Sequence, residues 1–420
     1  MILNYIWFGF FIIGFAVGII KAFFLGQTGL MADMMNALFD AAKNGFEISI
    51  GLAGIMSLWL GIMKIGEKAG VIRVFAKAVS PLFRTLFKGV PEDSPAYGSV
   101  MMNLSANMLG LDNAATPLGL KAMESLQELN PDKDTATNAQ IMFLVLNTAG
   151  ITLIPTSVIA ISQTIALEKH VANFNAADIF LPTLIATFIA FLSGMIIVAI
   201  YQRINLFKLP VLLFVSGFCG LIFLLHYTLS HLPADRVNQI IAAIGSGVIL
   251  SIIILFTTAG VVKRQNVYDH FIEGAKEGFG VAIRIIPYLV AMLAAISVFR
   301  SSGCMDYMIN GISSLLSMCG MRTEFVPDLP IAFMKPLSGG GARGLMVDVM
   351  RRYGVDSFQG KLAAIIQGST ETTFYVLAVY FGSVNIKNTR HALVCGLLAD
   401  LMGLIAAIIV GYIFFGSLIR

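Results

Sequence analysis

The sequence predicts an all-α polytopic membrane protein of two inverted-topology repeats. Each repeat holds a re-entrant helical hairpin and a discontinuous transmembrane helix, and the crossings number about nine in all. Three observations predict this. Of 420 residues, only 12% are charged and 57% are hydrophobic, with a mean hydropathy of +0.83; soluble chains carry about a quarter charged residues. Several apolar stretches reach the roughly 20 residues that span hydrocarbon. The same order of elements occurs twice along the chain. The net charge of +4 is small and dispersed and says nothing about nucleic acid; no nucleic-acid partner is expected, and the lipid bilayer is the chain's surroundings.

The expected crossings lie at about 3–23, 46–65, 140–161, 178–201, 209–229, 238–262, 279–300, 362–382 and 392–416. The opening stretch "MILNYIWFGFFIIGFAVGII" lacks a basic leader and a small-residue cleavage site. It reads as a retained first helix, with Tyr5 and Trp7 as interfacial anchors. Residues 64–89 alternate Lys64, Lys68, Arg73, Lys77, Arg84 and Lys88 with apolar side chains, the pattern of a helix lying in the interface. The segment 113–137 also reads as amphipathic. Basic residues set orientation. The 64–89 stretch, Arg203 with Lys208, Lys263 with Arg264, and Lys387 with Arg390 all fall on the cytoplasmic side if the N-terminus is inside and the C-terminus outside. Arg351 and Arg352 are the exception, falling outside.

The repeats show in short identities. "AKNGF" (42–46) recurs as "AKEGF" (275–279). At the same offset "NLSANMLGL" (103–111) faces "PLSGGGARG" (336–344), while "LNTAGITLIPT" (146–156) answers "IQGSTETTFYV" (366–376) at a different one. An odd number of crossings separates the two repeats, so the second is expected upside down relative to the first. Sites in such folds form where broken segments meet near the midplane.

The polar elements follow from that plan. Asn103, Ser105 and Asn107 lie in a segment too short to cross twice, expected as a re-entrant hairpin with Asn-rich irregular backbone lining a cavity, or as a tight helix contact. Ser338 and Gly339, Gly340 and Gly341 open its counterpart. Successive glycines destabilise a helix by about 1 kcal/mol each, so backbone there must bend or approach something closely. Their free N–H groups with Arg343 suit an anion; Lys335 reads as an interfacial anchor. Asn147, Thr148, Thr152 and Pro155 break one span, with Pro155 freeing a carbonyl near Ile151. Gln367, Ser369, Thr370, Glu371 and Thr372 break the other, with Gln367, Thr370 and Glu371 spaced to share one helical face. An ionised carboxylate at the bilayer centre costs about 2.5–3.5 kcal/mol. Glu371 therefore requires a partner: Arg343, a cation, a donor on a solute, or a proton.

Other chemistries find no support in the sequence. The histidines (His170, His226, His231, His270, His391) have no ligand partners at metal spacing. The triple glycine lacks the GK[ST] ending of a phosphate loop, and no hydrolase triad assembles. The reading is not an enzyme, without cofactor or metal. Cys219, Cys304, Cys319 and Cys395 read as small buried hydrophobes.

The stretch "NLSANMLGLDNAATPLGLKAMESLQELNP" resembles the spore maturation protein A family, and "GGGARG" with "IIQGSTETTFYVLAVYFGSVNIKNTRHAL" resembles the spore maturation protein B family. The chain looks like a fusion of the two, with 1–208 as the first half and 209–420 as the second. Both belong to the nucleoside-recognition, or gate-domain, superfamily, which is similar to concentrative nucleoside transporters. The resemblance implies hairpins at 95–112 and 330–346, broken helices at 140–161 and 362–382, and a bacterial cytoplasmic membrane. It implies a secondary transporter for a small polar, anionic or nucleoside-like solute, coupled to sodium or protons, with oligomerisation through 178–262. The alternative is a non-transporting sensor or scaffold that keeps the solute site.

Overall fold

The computed structural model describes residues 2–91, 94–110, 112–172, 174–229 and 234–419. Leu111, His231 and the His226 side chain lie outside the described residues. Regular structure among the described residues is helical, apart from an isolated bridge between Thr135 and Asn388.

After α1 (Ile2–Ile19) comes α2 (Leu30–Lys68), then a short amphipathic α3 (Val71–Leu86). A hairpin of α4 (Pro95–Met108) and α5 (Asp112–Glu128) follows, then a helix in two pieces, α6 (Asn138–Thr148) and α7 (Thr156–Glu168), and a closing helix α8 (Phe180–Gln202). Helices α9 (Leu209–Leu229) and α10 (Ala234–Val262) connect to a second series. There α11 (Val267–Ser301) is long, α12 (Cys304–Met318) short, and α13 (Leu329–Met334) with α14 (Gly339–Tyr353) forms a hairpin. A second two-piece helix, α15 (Phe358–Ser369) and α16 (Thr373–Ser383), leads to α17 (Ala392–Phe415).

Among the described residues seven helices are long and apolar enough to cross a membrane, and Leu209–Leu224 is a shorter apolar stretch. The multi-pass class is therefore borne out. The α6–α7 pair is apolar but broken, so neither piece spans alone.

The long helices pack on each other along most of their length. A methyl group on Gly45 would stand 3.1 Å from the Val290 nitrogen, and one on Gly278 only 2.4 Å from the Met56 oxygen. The pairs Gly45–Val290, Met56–Gly278 and Gly61–Phe271 fall in number on one helix as they rise on the other, so α2 and α11 are antiparallel. The small residues let backbones meet where lipid supplies no hydrophobic drive for helix association. The two copies of the "AK-x-GF" motif place Gly45 and Gly278 in these contacts. Helices α8 and α17 pair the same way, through Gly194 against Ala399 and Ala190 against Gly403.

Several expectations are corrected. The segment 64–89 is not one surface helix, because left-handed Gly70 (φ 77°) separates α2 from α3. Lys64 and Lys68 therefore end α2, where Lys64 pairs with Glu277 at 2.9 Å and both face Glu273. The helix expected from about 46 starts at Leu30, since nothing in 30–45 interrupts it. The match of 103–111 to 336–344 is not structural: the first lies on α4, a first hairpin arm, and the second opens α14, a second arm. Cys304 and Cys395 are buried, but Cys219 and Cys319 are exposed.

Basic residues gather by contact. Ala136 N–H donates to the Asn388 carbonyl (2.9 Å), and the Lys387 and Asn388 N–H groups donate to the Asp134 carbonyl, each at 3.0 Å. Gln202 Nε2 donates to Asn138 O at 2.9 Å. Arg203, Lys387 and Arg390 are thereby brought together. Arg351 meets Glu168 (2.6 Å) and Arg352 meets Asp306 (2.9 Å), so this pair carries little free positive charge.

Candidate functional site

The two broken helices cross at their breaks. The first is interrupted over 149–155, where Pro155, which has no N–H to give, caps α7. The second opens at Thr370 (φ −145°, ψ 172°) and Thr372 (φ −87°, ψ 95°), both extended, before α16 restarts at Thr373. Backbone groups freed inside a membrane must find partners, and these do. Glu371 N–H donates to the Thr148 carbonyl at 2.8 Å, tying one break to the other. Leu153 N–H donates to Met108 O (2.8 Å) at the tip of the first hairpin, and Phe374 N–H donates to Pro336 O (2.9 Å) at the tip of the second. Each hairpin tip thus caps the broken helix of its own series. At the first tip, Gly110 has φ 73°, and a methyl group there would lie 2.6 Å from the Ile154 oxygen.

Two cavities adjoin this crossing. One of about 190 Å³ is lined by Asn107, Thr116, Asn147, Tyr375 and Tyr380. A smaller one of about 30 Å³ is lined by Thr152, Ser157, Lys335, Gln367 and Gly368. Arg343 and Glu371 line both. Arg343 forms no ion pair among the described residues, and its Nε is buried without a hydrogen-bond partner, as is Gln367 Oε1. Unpaired polar atoms of this kind are rare in interiors and costly when nothing meets them. Arg343, with its Nε buried and unpartnered, faces both cavities. An unpaired guanidinium nitrogen at a cavity wall suits an anionic group.

The expected residues distribute unevenly around this centre. Asn107 donates to the Asn147 carbonyl at 3.3 Å. Asn103 is buried on α4 and donates to Ala115 O (2.7 Å) and Tyr380 Oη (3.4 Å), standing behind the larger cavity. Ser105 is buried with its hydroxyl unpartnered and lines neither cavity. These three sit on a regular helix, not on irregular backbone, because the turn comes later, after Met108. Ser338 caps α14, accepting from Gly341 N–H at 3.0 Å. Gly339, Gly340 and Gly341 form the first helical turn and are not a bend. Close approach explains them: a methyl group on Gly339 would lie 2.8 Å from Thr372 Oγ1, and one on Gly340 3.3 Å from Tyr288. Thr148 supplies its carbonyl to Glu371. Ser369 turns back to Ile366 O (2.9 Å). Gln367, Thr370 and Glu371 do not share a helical face, because α15 ends at Ser369; Gln367 and Glu371 still converge on the smaller cavity. Ile151 likewise lies in the break, past the end of α6, so Pro155 frees no helical carbonyl there.

Sequence reasoning missed several residues. Lys335 is 6% exposed and lines the smaller cavity, so it is not an interfacial anchor. Tyr375 and Tyr380 add an aromatic wall. Asp400 on α17 is buried and accepts from Thr373 Oγ1 at 2.6 Å. A lone carboxylate inside "LLADLMGL" was the available signal, by the insertion-cost argument applied to Glu371.

Paired hairpins sealing paired broken helices around buried polar groups define a gate-type membrane protein. The chain belongs to the family described as Gate, nucleoside recognition, whose model matches residues 49–164 and 282–387. It is 49% identical over 158 residues to spore maturation protein B of Bacillus subtilis (strain 168), covering 38% of this chain and 87% of that protein. It is 39% identical over 194 residues to spore maturation protein A of the same organism, covering 46% of this chain and 92% of that protein. The two relatives cover different parts of the chain. No solved structure matches it significantly.

Proposed function

We propose that this protein is a secondary transporter that moves a small polar solute bearing an anionic group by alternating access, driven by sodium or protons. The observation that carries the reading is the pair of cavities that share Arg343 and Glu371 as a common wall at the crossing of two broken helices. Arg343 holds the anionic group, and Gln367, Asn107 and Asn147 supply neutral polar contacts. At about 190 Å³ the larger cavity is smaller than the roughly 300–1,000 Å³ of pockets for drug-sized ligands. A solute smaller than a nucleoside fits this state. The two halves, 1–208 and 209–420, are read as inverted repeats with re-entrant hairpins. The antiparallel pairing of α2 with α11 and of α8 with α17 supports that reading. The N-terminus is read as inside and the C-terminus as outside, with Arg203, Lys387 and Arg390 on the cytoplasmic face. Translocation in this reading breaks no bond.

Flux in proteoliposomes tests the proposal, with labelled acetate, succinate, glutamate and uridine under imposed sodium and proton gradients. Uptake of at least one carboxylate is expected, with Arg343→Ala and Glu371→Gln each lowering it by at least about tenfold while inserting normally, a loss of about 1.4 kcal/mol or more. Ligand binding without flux under every gradient contradicts the transporter reading and assigns the site to a sensor.

A further inference from the structure

Beneath the second break, on the side facing α17, lies a cluster of oxygen atoms outside the two cavities. Asp400 is 8% exposed. Its Oδ2 accepts from the Thr373 hydroxyl at 2.6 Å, and the Thr370 side chain lies beside the carboxylate. Oδ1 is buried with no hydrogen-bond partner. The charge of Lys335 acts on this carboxylate from the hairpin tip, yet no donor closes on Oδ1.

The surroundings add acceptors. Helix α15 ends at Ser369 with no backbone bond capping it, because Glu371 N–H is diverted to Thr148. A helix C-terminus carries partial negative charge on its open carbonyls. The Ser369 carbonyl and the Thr370 methyl both face Gly403, where an added methyl would stand 3.8 and 2.8 Å from them. Gly403 is three residues along α17 from Asp400, on the same side. Thr148, whose hydroxyl is also buried without a partner, lies beside Gly396, one turn the other way. The small residues Gly396 and Gly403 thus bring both breaks against the carboxylate.

We propose that Asp400, the hydroxyls of Thr370 and Thr373 and the open carbonyl of Ser369 form a binding site for a monovalent cation of sodium's size. The donor set is hard oxygen with one carboxylate, the ligand type that suits an alkali cation better than a soft metal. No group of three His, Cys, Asp or Glu converges among the described residues, so the chemistry is not that of a transition metal. The cation would neutralise a carboxylate that otherwise lies in the membrane half-satisfied, and would fix the second break against α17. The site uses none of the solute contacts assigned above.

The test needs no solute, so its outcome is separable from that of the flux experiment. The purified full-length protein is titrated with sodium chloride against choline chloride at constant ionic strength, following thermal unfolding and radioactive-sodium binding. Saturable stabilisation and binding are expected for the wild type. Asp400→Asn should raise the half-saturating sodium concentration at least about tenfold, and Thr373→Ala about threefold, while Asp134→Asn at the exposed loop leaves it unchanged. Should Asp400→Asn fail to fold, Thr373→Ala and the direct binding measurement on wild type still decide. A wild type indifferent to sodium over choline overturns the proposal. So does a midpoint unmoved in both site variants, or stabilisation that follows pH instead of sodium, which would make Asp400 a proton site.

Discussion

Glu371 performs two tasks with different atoms. Its N–H closes the junction between the two breaks at Thr148, and its carboxylate faces both cavities beside Arg343. The sequence already marks it, since a lone acid in an apolar span needs a partner. What the sequence hides is the environment of Lys335: its neighbours Pro336 and Ser338 look like a surface turn, and only the hairpin's docking onto Phe374 buries the ammonium. Gly110 gives a sharp residue-scale test. It needs a positive φ, and a methyl group there meets the Ile154 oxygen at 2.6 Å. Gly110→Ala should therefore destabilise by about 1–3 kcal/mol, seen as a lowered unfolding temperature of the purified protein. A Gly110→Ala variant as stable as wild type would show that the tip does not dock as described.

At the scale of elements, the breaks and hairpins were legible because proline, clustered hydroxyls and glycine runs oppose helix continuation. Their register was not. The shared Leu-Ser of 104–105 and 337–338 falls on opposite hairpin arms, since two small-residue strings resemble each other wherever helices approach closely. The α2–α11 pairing turns on such residues. Gly278→Leu forces a side chain into the Met56 carbonyl 2.4 Å away from the first added carbon. Overpacking costs about 1–3 kcal/mol and more where backbone is the obstacle, so the variant should unfold at lower temperature and lose monodispersity on gel filtration. The junction of α8 with α17 offers a pH test. His391 stacks on Tyr201, with ring centroids 4.9 Å apart. Burial, and then the charge of Arg390, lower its pKa below the ordinary 6.5. The folded state thus binds the proton less readily than the unfolded chain. The stability this site contributes is complete above 6.5 and declines as pH falls below it. Thermal unfolding followed down the pH scale should show a decline that His391→Gln reduces; an unchanged profile would contradict it.

Across the whole molecule, the membrane class and the doubled order of elements followed from composition and pattern alone. The convergence of the elements did not, because it depends on helices 233 residues apart in sequence, such as those carrying Gly45 and Gly278, meeting face to face. Arg351 and Arg352, the one basic pair that runs against the expected orientation, are ion-paired with Glu168 and Asp306. In the proposed arrangement the larger cavity, lined by Thr116 of α5 and by α16, lies toward the cytoplasm, and the smaller, lined by Ser157 of α7, toward the outside. The central claim is that Arg343 and Glu371 divide two compartments reached from opposite sides. It is tested most directly by side-specific thiol labelling in oriented membrane vesicles, with Thr116→Cys and Ser157→Cys each placed in a background free of native cysteines. The account predicts that a membrane-impermeant reagent reaches Cys at 116 from the cytoplasmic side and Cys at 157 from the outside. Labelling of both positions from the same side would contradict it.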